Sequence, residues 1–408
     1  MIKERVFILG LGYVGLPLAI EAAKSGYLVT GFDVNEEKIN ELIKGISSSP
    51  EVSDSELLKL QGSGHLELTS ILPKIFNPAI YIIAVPTPLD KNRNPDLEML
   101  TMACDSISKV ICEGSLVINE STSYIGTLND LIRQNIVSAS RIENLDFAVA
   151  PERIDPANNK WDLKTTPRII GGLSERAVTR AINFYQKFCD HVHSVSRPEI
   201  AEAAKLFENT FRQVNIALVN ELSSITHKFN ISTHDVIRAA STKPYGFMPF
   251  YPSVGVGGHC IPIDPSYLTF SAKKFSLETK LIDLANEINI TNPHRIALRI
   301  KKLLGGNLEG KKIQLVGISY KLNVSDIRES PALALISQLR SMGGDVIWHD
   351  PLVSEWNGEL SSPLQKNIDL GIINVPHDFI DLSFWNDAIF SVIDISATTM
   401  EFGWAKFL

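Results

Sequence analysis

Cysteine is scarce in this chain and carries no pattern. The four present, Cys104, Cys112, Cys189 and Cys260, form no CxxC pair and no metal-ligand spacing. A disulfide scaffold is excluded, no metal is expected, and a reduced, cytoplasmic setting fits best. Long apolar runs are also missing. No stretch reaches the ~18 residues that span a bilayer, so no membrane partnership is expected. Nor is there an excess of positive charge. Lys and Arg total 39 against 46 Asp and Glu, a formal net charge of −7. That balance argues against nucleic acid as a partner, although local basic groups can still hold an anionic substrate. There is no tandem repeat and no low-complexity tract. Residues 1–5 lead directly into a strand, so no secretory leader is expected.

What remains is a chain of 408 residues, 44% hydrophobic, enough for two or three domains with real cores. Residues 6–10 are a short apolar run ending in glycine, read as a buried strand. Residues 14–25 read as a helix closed by Gly26, and 27–32 as a second strand ending at Asp33. This is a βαβ unit. Further strands are predicted at 79–85, 116–119 and 146–150, with helices between, which gives a parallel, doubly wound α/β class. The character changes after Arg197. Residues 199–228 hold neither glycine nor proline, and Ala201, Ala204, Phe207, Phe211, Val214, Leu218 and Leu222 recur near a 3.6 period. A helix of ~30 residues spans ~45 Å, more than one small domain needs, so it is expected to connect domains and to offer a dimer surface. A second α/β segment starts near Lys311, with parallel strands predicted at 313–316, 345–348, 370–373 and 392–395. The fold expected is two Rossmann-like doubly wound domains joined by a long central helix and a helical middle domain. The boundaries are 1–197, 198–305 and 306–408.

Gly10-Leu11-Gly12-Tyr13-Val14-Gly15 lies between a strand and a helix, and Asp33 ends the next strand. In that context GxGxxG reads as a dinucleotide cradle. Gly10 permits the turn, Gly12 lets a pyrophosphate reach the positive end of the helix, and Gly15 lets helix pack on sheet. Asp33 would accept the adenosine ribose hydroxyls and repel a 2′-phosphate, which favours NAD over NADP. Lys38 reaches the ribose or the adenine edge, or is a solvated helix lysine. Val85-Pro86-Thr87-Pro88 and Glu120-Ser121-Thr122 each follow a buried strand at the ligand edge of the sheet. Each lines the NAD site or is loop punctuation. Glu152 follows Ala150-Pro151 at the end of an apolar strand, at the same edge. It can activate water, or pair with Arg153 in a loop salt bridge.

The second signal is Gly257-Gly258-His259-Cys260, with Asp264 four residues on. Glycines remove the Cβ that would keep a ligand away, and a thiol behind them can reach a bound carbon. Read alone, Cys260 is more often a buried inert thiol. Lys205 and Asn209 are spaced i, i+4 on one helix face. A lysine beside an amide can hold an alkoxide oxygen or accept its proton, whereas a lysine read alone is more often a surface residue. Dinucleotide plus positioned thiol points to an oxidation through a covalent thioester.

Taken together, these residues resemble the UDP-glucose/GDP-mannose dehydrogenase family, the nucleotide-sugar 6-dehydrogenases. The resemblance spans the chain. It rests on the glycine motif, Val85-Pro86-Thr87-Pro88, Ala150-Pro151-Glu152-Arg153, Lys205 with Asn209, Gly257-Gly258-His259-Cys260 with Asp264, and Ser325-Asp326-Ile327-Arg328-Glu329-Ser330. Lys243-Pro244-Tyr245-Gly246-Phe247-Met248-Pro249-Phe250-Tyr251-Pro252 looks most like the UDP-N-acetylglucosamine 6-dehydrogenases. The resemblance implies two successive oxidations of the sugar C6 by NAD, with a thiohemiacetal and then a thioester on Cys260, hydrolysed to a uronic acid for surface polysaccharide. Cys260 matches the nucleophile, Lys205 the group on the C6 oxygen, Asn209 and Asp264 its orienting partners, and Glu152 the acid/base of hydrolysis. Arg328 matches a cofactor contact. Arg153, Phe250, Tyr251, Gly257 and Lys321 match substrate contacts. The C-terminal domain would bind UDP, and the long helix would form the core of a homodimer or higher homo-oligomer. UDP-N-acetylmannosamine or UDP-glucose is the alternative substrate, and a non-catalytic NAD sensor the alternative function. The chain departs from the family at Ile125, at Ser253-Val254 and at Asp155-Pro156.

Overall fold

The computed structural model describes residues 4–47, 49, 51–154, 160–395 and 406–407; Asp155 and Pro156 lie outside these. Two compact units divide the chain, one formed by Met1–Phe207 with Ser266–Phe275 and the other by Glu208–Pro265 with Ser276–Leu408.

The first unit is built on an eight-stranded sheet. Its strands are β1 (Arg5–Leu9), β2 (Leu28–Phe32), β3 (Leu66–Thr69), β4 (Ile80–Ile83), β5 (Leu116–Asn119), β6 (Asp146–Val149), β7 (Arg168–Gly172) and β8 (Val192–Ser194). The order is β3-β2-β1-β4-β5-β6-β7-β8. The first six strands are parallel, and β7 runs antiparallel to β6. The continuous apolar run of β1 follows from burial on both faces. Val6 and Ile8 pack with Leu16 and Leu18 on one side, while Phe7 and Leu9 pack with Tyr81, Ile83 and Leu100 on the other. Chain order reverses between β1 and β4, which opens a crevice at their carboxyl ends. The glycine motif and Val85 sit there.

The second unit holds five parallel strands: β9 (Lys312–Val316), β10 (Asp345–His349), β13 (Leu370–Ile373), β14 (Ser391–Asp394) and β15 (Lys406–Phe407). A small hairpin, β11 (Glu355–Trp356) and β12 (Glu359–Leu360), stands apart. The main order is β10-β9-β13-β14-β15, so the reversal falls between β9 and β13.

The long helix runs Pro198–Lys228, one residue from the sequence expectation at its start. Proline at the first position costs no helical hydrogen bond. The apolar stripe seen in the sequence does not all face inward. Phe207 is 65% exposed and Leu218 63%, while Leu206, Gln213, Ala217 and Asn220 are buried. Among the described residues no helix is long and apolar enough to cross a membrane.

Candidate active site

The glycine motif has the geometry its sequence predicts. Gly10 takes φ +94°, and a Cβ there would stand 2.6 Å from the Ala84 carbonyl oxygen. A Cβ on Gly15 would collide with the Gly10 carbonyl at 1.8 Å, whereas one on Gly12 would meet nothing within 4 Å. The first and third glycines are therefore demanded by protein, and the second leaves open the face where a pyrophosphate would approach. Val14 precedes the helix Gly15–Lys24, and the Gly12 carbonyl accepts the Leu16 N–H. Tyr13 is half-buried between them.

Asp33 lies just past β2. Its Oδ2 accepts the Leu11 N–H at 2.9 Å and Lys38 Nζ at 2.8 Å, and its Oδ1 accepts the Asn35 N–H at 3.0 Å. Burial works to raise its pKa, but the bonds from Lys38, Leu11 and Asn35 outweigh burial and hold it below the usual carboxylate range. A fixed negative charge so placed disfavours a 2′-phosphate. We expect NAD to be preferred over NADP by about 100-fold in kcat/KM, and Asp33→Ser to cut this to about tenfold, since every 1.4 kcal/mol is tenfold. Equal efficiency with both cofactors in the unaltered enzyme would refute this role.

Two loops flank the crevice. Ser121 Oγ donates to the Val85 carbonyl at 2.8 Å, and Tyr267 Oη donates to the Thr87 carbonyl at 3.1 Å. Pro86 is exposed, and Thr87 and Thr122 are half-buried. Glu202, which no sequence motif marks, binds the far end of the second loop. Its carboxylate accepts the Gly126 N–H at 2.6 Å and the Leu128 N–H at 3.0 Å. At Ile125 the N–H donates to Ser271 Oγ at 3.0 Å, a bond that a proline there could not make.

Glu152 and Lys205 come together, with Oε2 and Nζ 4.0 Å apart and side chains only 11% and 8% exposed. Burial pushes the Glu152 carboxyl up to about 7, against the opposing charges of Lys205 and Arg168. A carboxyl titrating there can both give and take a proton near neutrality. Arg153 donates to the Pro167 carbonyl at 2.8 Å, and the Ile154 N–H bonds Glu152. Behind Glu152 lies a buried group the sequence did not reveal. Arg168 pairs with Glu120 at 2.9 Å, Tyr185 Oη donates to Glu120, and the Arg168 guanidinium lies 4.7 Å from the Tyr185 ring centre.

In the second unit, Asn209 Nδ2 donates to Asp264 Oδ2 at 2.6 Å, both residues being buried. Asp264 opens the helix Asp264–Lys273, and the Cys260 carbonyl accepts its N–H at 2.8 Å. Cys260 itself is partly exposed, unlike the buried Cys104 and Cys189. Burial lifts the Cys104 thiol to about 12, which makes it inert. The glycines before Cys260 have a reason that sequence alone missed. A Cβ on Gly257 or Gly258 would lie 2.8 Å from Tyr320, so they admit a tyrosine side chain of the same unit. The Gly258 N–H donates to the Arg328 carbonyl at 3.1 Å. Arg328 engages Asp326 through Nε at 2.9 Å, and its Nη2 lies 3.4 Å from His259 Nδ1. Phe250 packs edge-on against Phe211, and Tyr251 stacks on His234. Lys321 is half-buried on the loop after β9.

Residues 4–189, 199–291 and 314–387 match, in turn, the NAD binding, central and UDP binding domains of the UDP-glucose/GDP-mannose dehydrogenase family. The chain belongs to this family. It is an NAD-dependent nucleotide-sugar dehydrogenase. It is 36% identical to a UDP-N-acetyl-D-glucosamine 6-dehydrogenase of Salmonella typhi, over 86% of this chain and 83% of that one. It is 37% identical to a UDP-N-acetyl-D-mannosamine dehydrogenase of Pyrococcus horikoshii, over 86% and 84%. The solved structure of a UDP-D-ManNAc dehydrogenase from Pyrococcus horikoshii superposes with a TM-score of 0.85 at 31% identity, covering 96% of this chain and 94% of that one.

Proposed function

We propose that this enzyme oxidises the C6 hydroxyl of a UDP-N-acetylhexosamine, UDP-N-acetylglucosamine foremost, to the uronic acid through a thioester on Cys260. The observation that carries this reading is the setting of Cys260. It is a partly exposed thiol one turn before a helix whose first residue, Asp264, is held by Asn209. Bound NAD supplies a two-electron acceptor for each of two oxidations. Lys205 holds the C6 oxygen as its proton passes to water, C6 gives up a hydride to that acceptor, and the aldehyde forms. The Cys260 sulfur adds to that aldehyde carbon, and the oxygen takes a proton, giving a thiohemiacetal. The second oxidation leaves a thioester. Glu152 then takes a proton from water as it attacks, the C–S bond breaks, and the thiol is restored with the carboxylate product. Two NADH per sugar would separate this route from a simple alcohol dehydrogenase, which yields one, and from an NAD sensor, which yields none.

The working division is 1–197 for NAD, 198–305 for the central helices, and 306–408 for the UDP half. Arg153, Phe250, Tyr251, Gly257 and Lys321 serve the substrate, and Arg328 the cofactor. The outward apolar face at Phe207, Phe211, Leu218 and Ile225 supports assembly as a homodimer. A cytoplasmic role in supplying sugar acids for surface polysaccharide fits the same reading.

The N-acetyl assignment rests on the Pro249-Phe250-Tyr251-Pro252 segment, which offers aromatic and proline surface to an acetamido methyl. One such contact is worth roughly 1–3 kcal/mol, or ~10–200-fold in specificity. UDP-N-acetylglucosamine should exceed UDP-glucose in kcat/KM by that margin under identical NAD and pH. Equal or better use of UDP-glucose would remove the assignment and leave the dehydrogenase chemistry intact. UDP-N-acetylmannosamine is the second reading, favoured by the 37% identical archaeal relative.

A further inference from the structure

The second sheet repeats two features of the first, a tight glycine after its first strand and an aspartate after the next, but has Ser319 and Leu322 where the first has Gly12 and Gly15. Gly317 ends β9 at φ +82°, and a Cβ there would stand 1.9 Å from the Val375 carbonyl oxygen, as Gly10 stands against Ala84. Asp350 ends β10 as Asp33 ends β2. Its Oδ2 accepts the Ile318 and Ser319 N–H groups at 2.9 and 3.1 Å, and its Oδ1 accepts the Leu352 N–H at 3.0 Å. Asp33 makes the matching pair of bonds, to Leu11 and Asn35. There the likeness stops. The side-chain partner of Asp33 is the part-exposed Lys38, whereas that of Asp350 is His377, which lies beyond β13 and is 1% exposed.

His377 joins two points of the loop after β9 to the acid after β10. Its Nδ1 accepts the Asn323 N–H at 2.8 Å, which places the ring proton on Nε2. That nitrogen lies 3.2 Å from Asp350 Oδ2 and 3.1 Å from Ser319 Oγ. Ser319 Oγ in turn donates to the Lys321 carbonyl at 3.3 Å. Asn323 Nδ2 donates to Asp378 Oδ2 at 2.6 Å, and the Asp378 N–H returns a bond to Asn323 Oδ1 at 3.1 Å. Serine, histidine and aspartate meet here, but not as a nucleophilic triad. Ser319 and Asp350 share one ring nitrogen, and both are 0% exposed. With three backbone N–H groups and His377 on its carboxylate, Asp350 is engaged from within rather than turned to a dinucleotide ribose.

We propose that His377 is a positioning residue for the nucleotide half of the substrate. It turns the ribose-reading acid position of the second sheet into an anchor for the 319–323 loop, and so fixes the backbone at Lys321 for uridine diphosphate. The inference rests on the reading of Lys321 as a substrate contact, and the experiment separates the two. UDP is titrated calorimetrically into the full chain and its variants, with steady-state kinetics alongside. Lys321→Ala should weaken UDP binding. His377→Ala should raise the UDP Kd and the UDP-sugar KM about tenfold, because the loop is no longer preorganised. Its kcat and its KM for NAD should stay within about twofold. His377→Gln, whose amide carries both a donor and an acceptor, should recover most of the loss.

An unchanged UDP Kd in folded His377→Ala, with Lys321→Ala weakened, overturns this proposal alone. An equal rise in the KM for NAD overturns it too, because a purely structural role would move both. Failure of the unaltered chain to bind UDP overturns the substrate reading and this proposal with it. If His377→Ala does not fold, Ser319→Ala reads the same quantity. A loss of about threefold supports the anchor, and no change overturns it.

Discussion

Cys260→Ser should stop steady formation of the uronic acid, with kcat falling on the order of 10³-fold or more. A serine hydroxyl has no accessible anion near neutral pH, whereas a thiol does, and only the anion adds readily to the aldehyde carbon. The first oxidation does not need the sulfur. The variant should therefore release at most one NADH per site in a rapid phase and then stall. Absorbance in a stopped flow, with chromatography of the sugar product, reads both quantities. Steady multiple turnover to uronic acid would end the covalent role of Cys260. Cys104 and Cys189 cannot substitute for it, because both are buried and burial raises both thiols.

Lys205→Met should lower kcat by about 10²–10³-fold, the usual effect of removing one charge-stabilising donor from a developing oxyanion. Methionine keeps most of the side-chain volume in a site where Lys205 is 7% exposed, so packing is little changed. A second effect follows from the 4.0 Å approach of Lys205 to Glu152. Burial is the main cause of the raised Glu152 pKa of about 7, and the Lys205 charge opposes it. Without that charge the carboxyl loses its proton only at higher pH. The rising limb of kcat against pH, where Glu152 must be ionised to act on water, should move upward. A loss below tenfold with an unmoved limb would show that Lys205 serves only the fold.

Much of this was legible because it is local. The run from Val6 to Leu9 marks a strand buried on both faces, and Gly10, Gly12 and Gly15 mark the turn after it. The i, i+4 spacing of Lys205 and Asn209 follows from helix geometry alone. What could not be read is what lies opposite each residue. Glu120 meets Tyr185 across 65 positions of chain, and Glu202 meets Gly126 across 76. No periodicity relates such partners, since each belongs to a different element and the sheet order brings them together. The long helix makes the same point. Periodicity found its apolar stripe, yet Phe207 and Leu218 are exposed while the polar Gln213 and Asn220 are buried.

The sequence by itself determined the individual strands, the long helix and the glycine turn, and marked Cys260 as the candidate thiol, because each depends on neighbours within a few residues. Tertiary structure decided the environments. It lifted the Glu152 carboxyl to about 7 by burying it, and filled the space at Gly257 and Gly258 with Tyr320. It also gave two acids at equivalent strand ends, Asp33 and Asp350, different partners in Lys38 and His377. Proton affinity and hydrogen-bond occupancy depend on what is near in space, and that proximity exists only once the strands are ordered and the loops between them are closed.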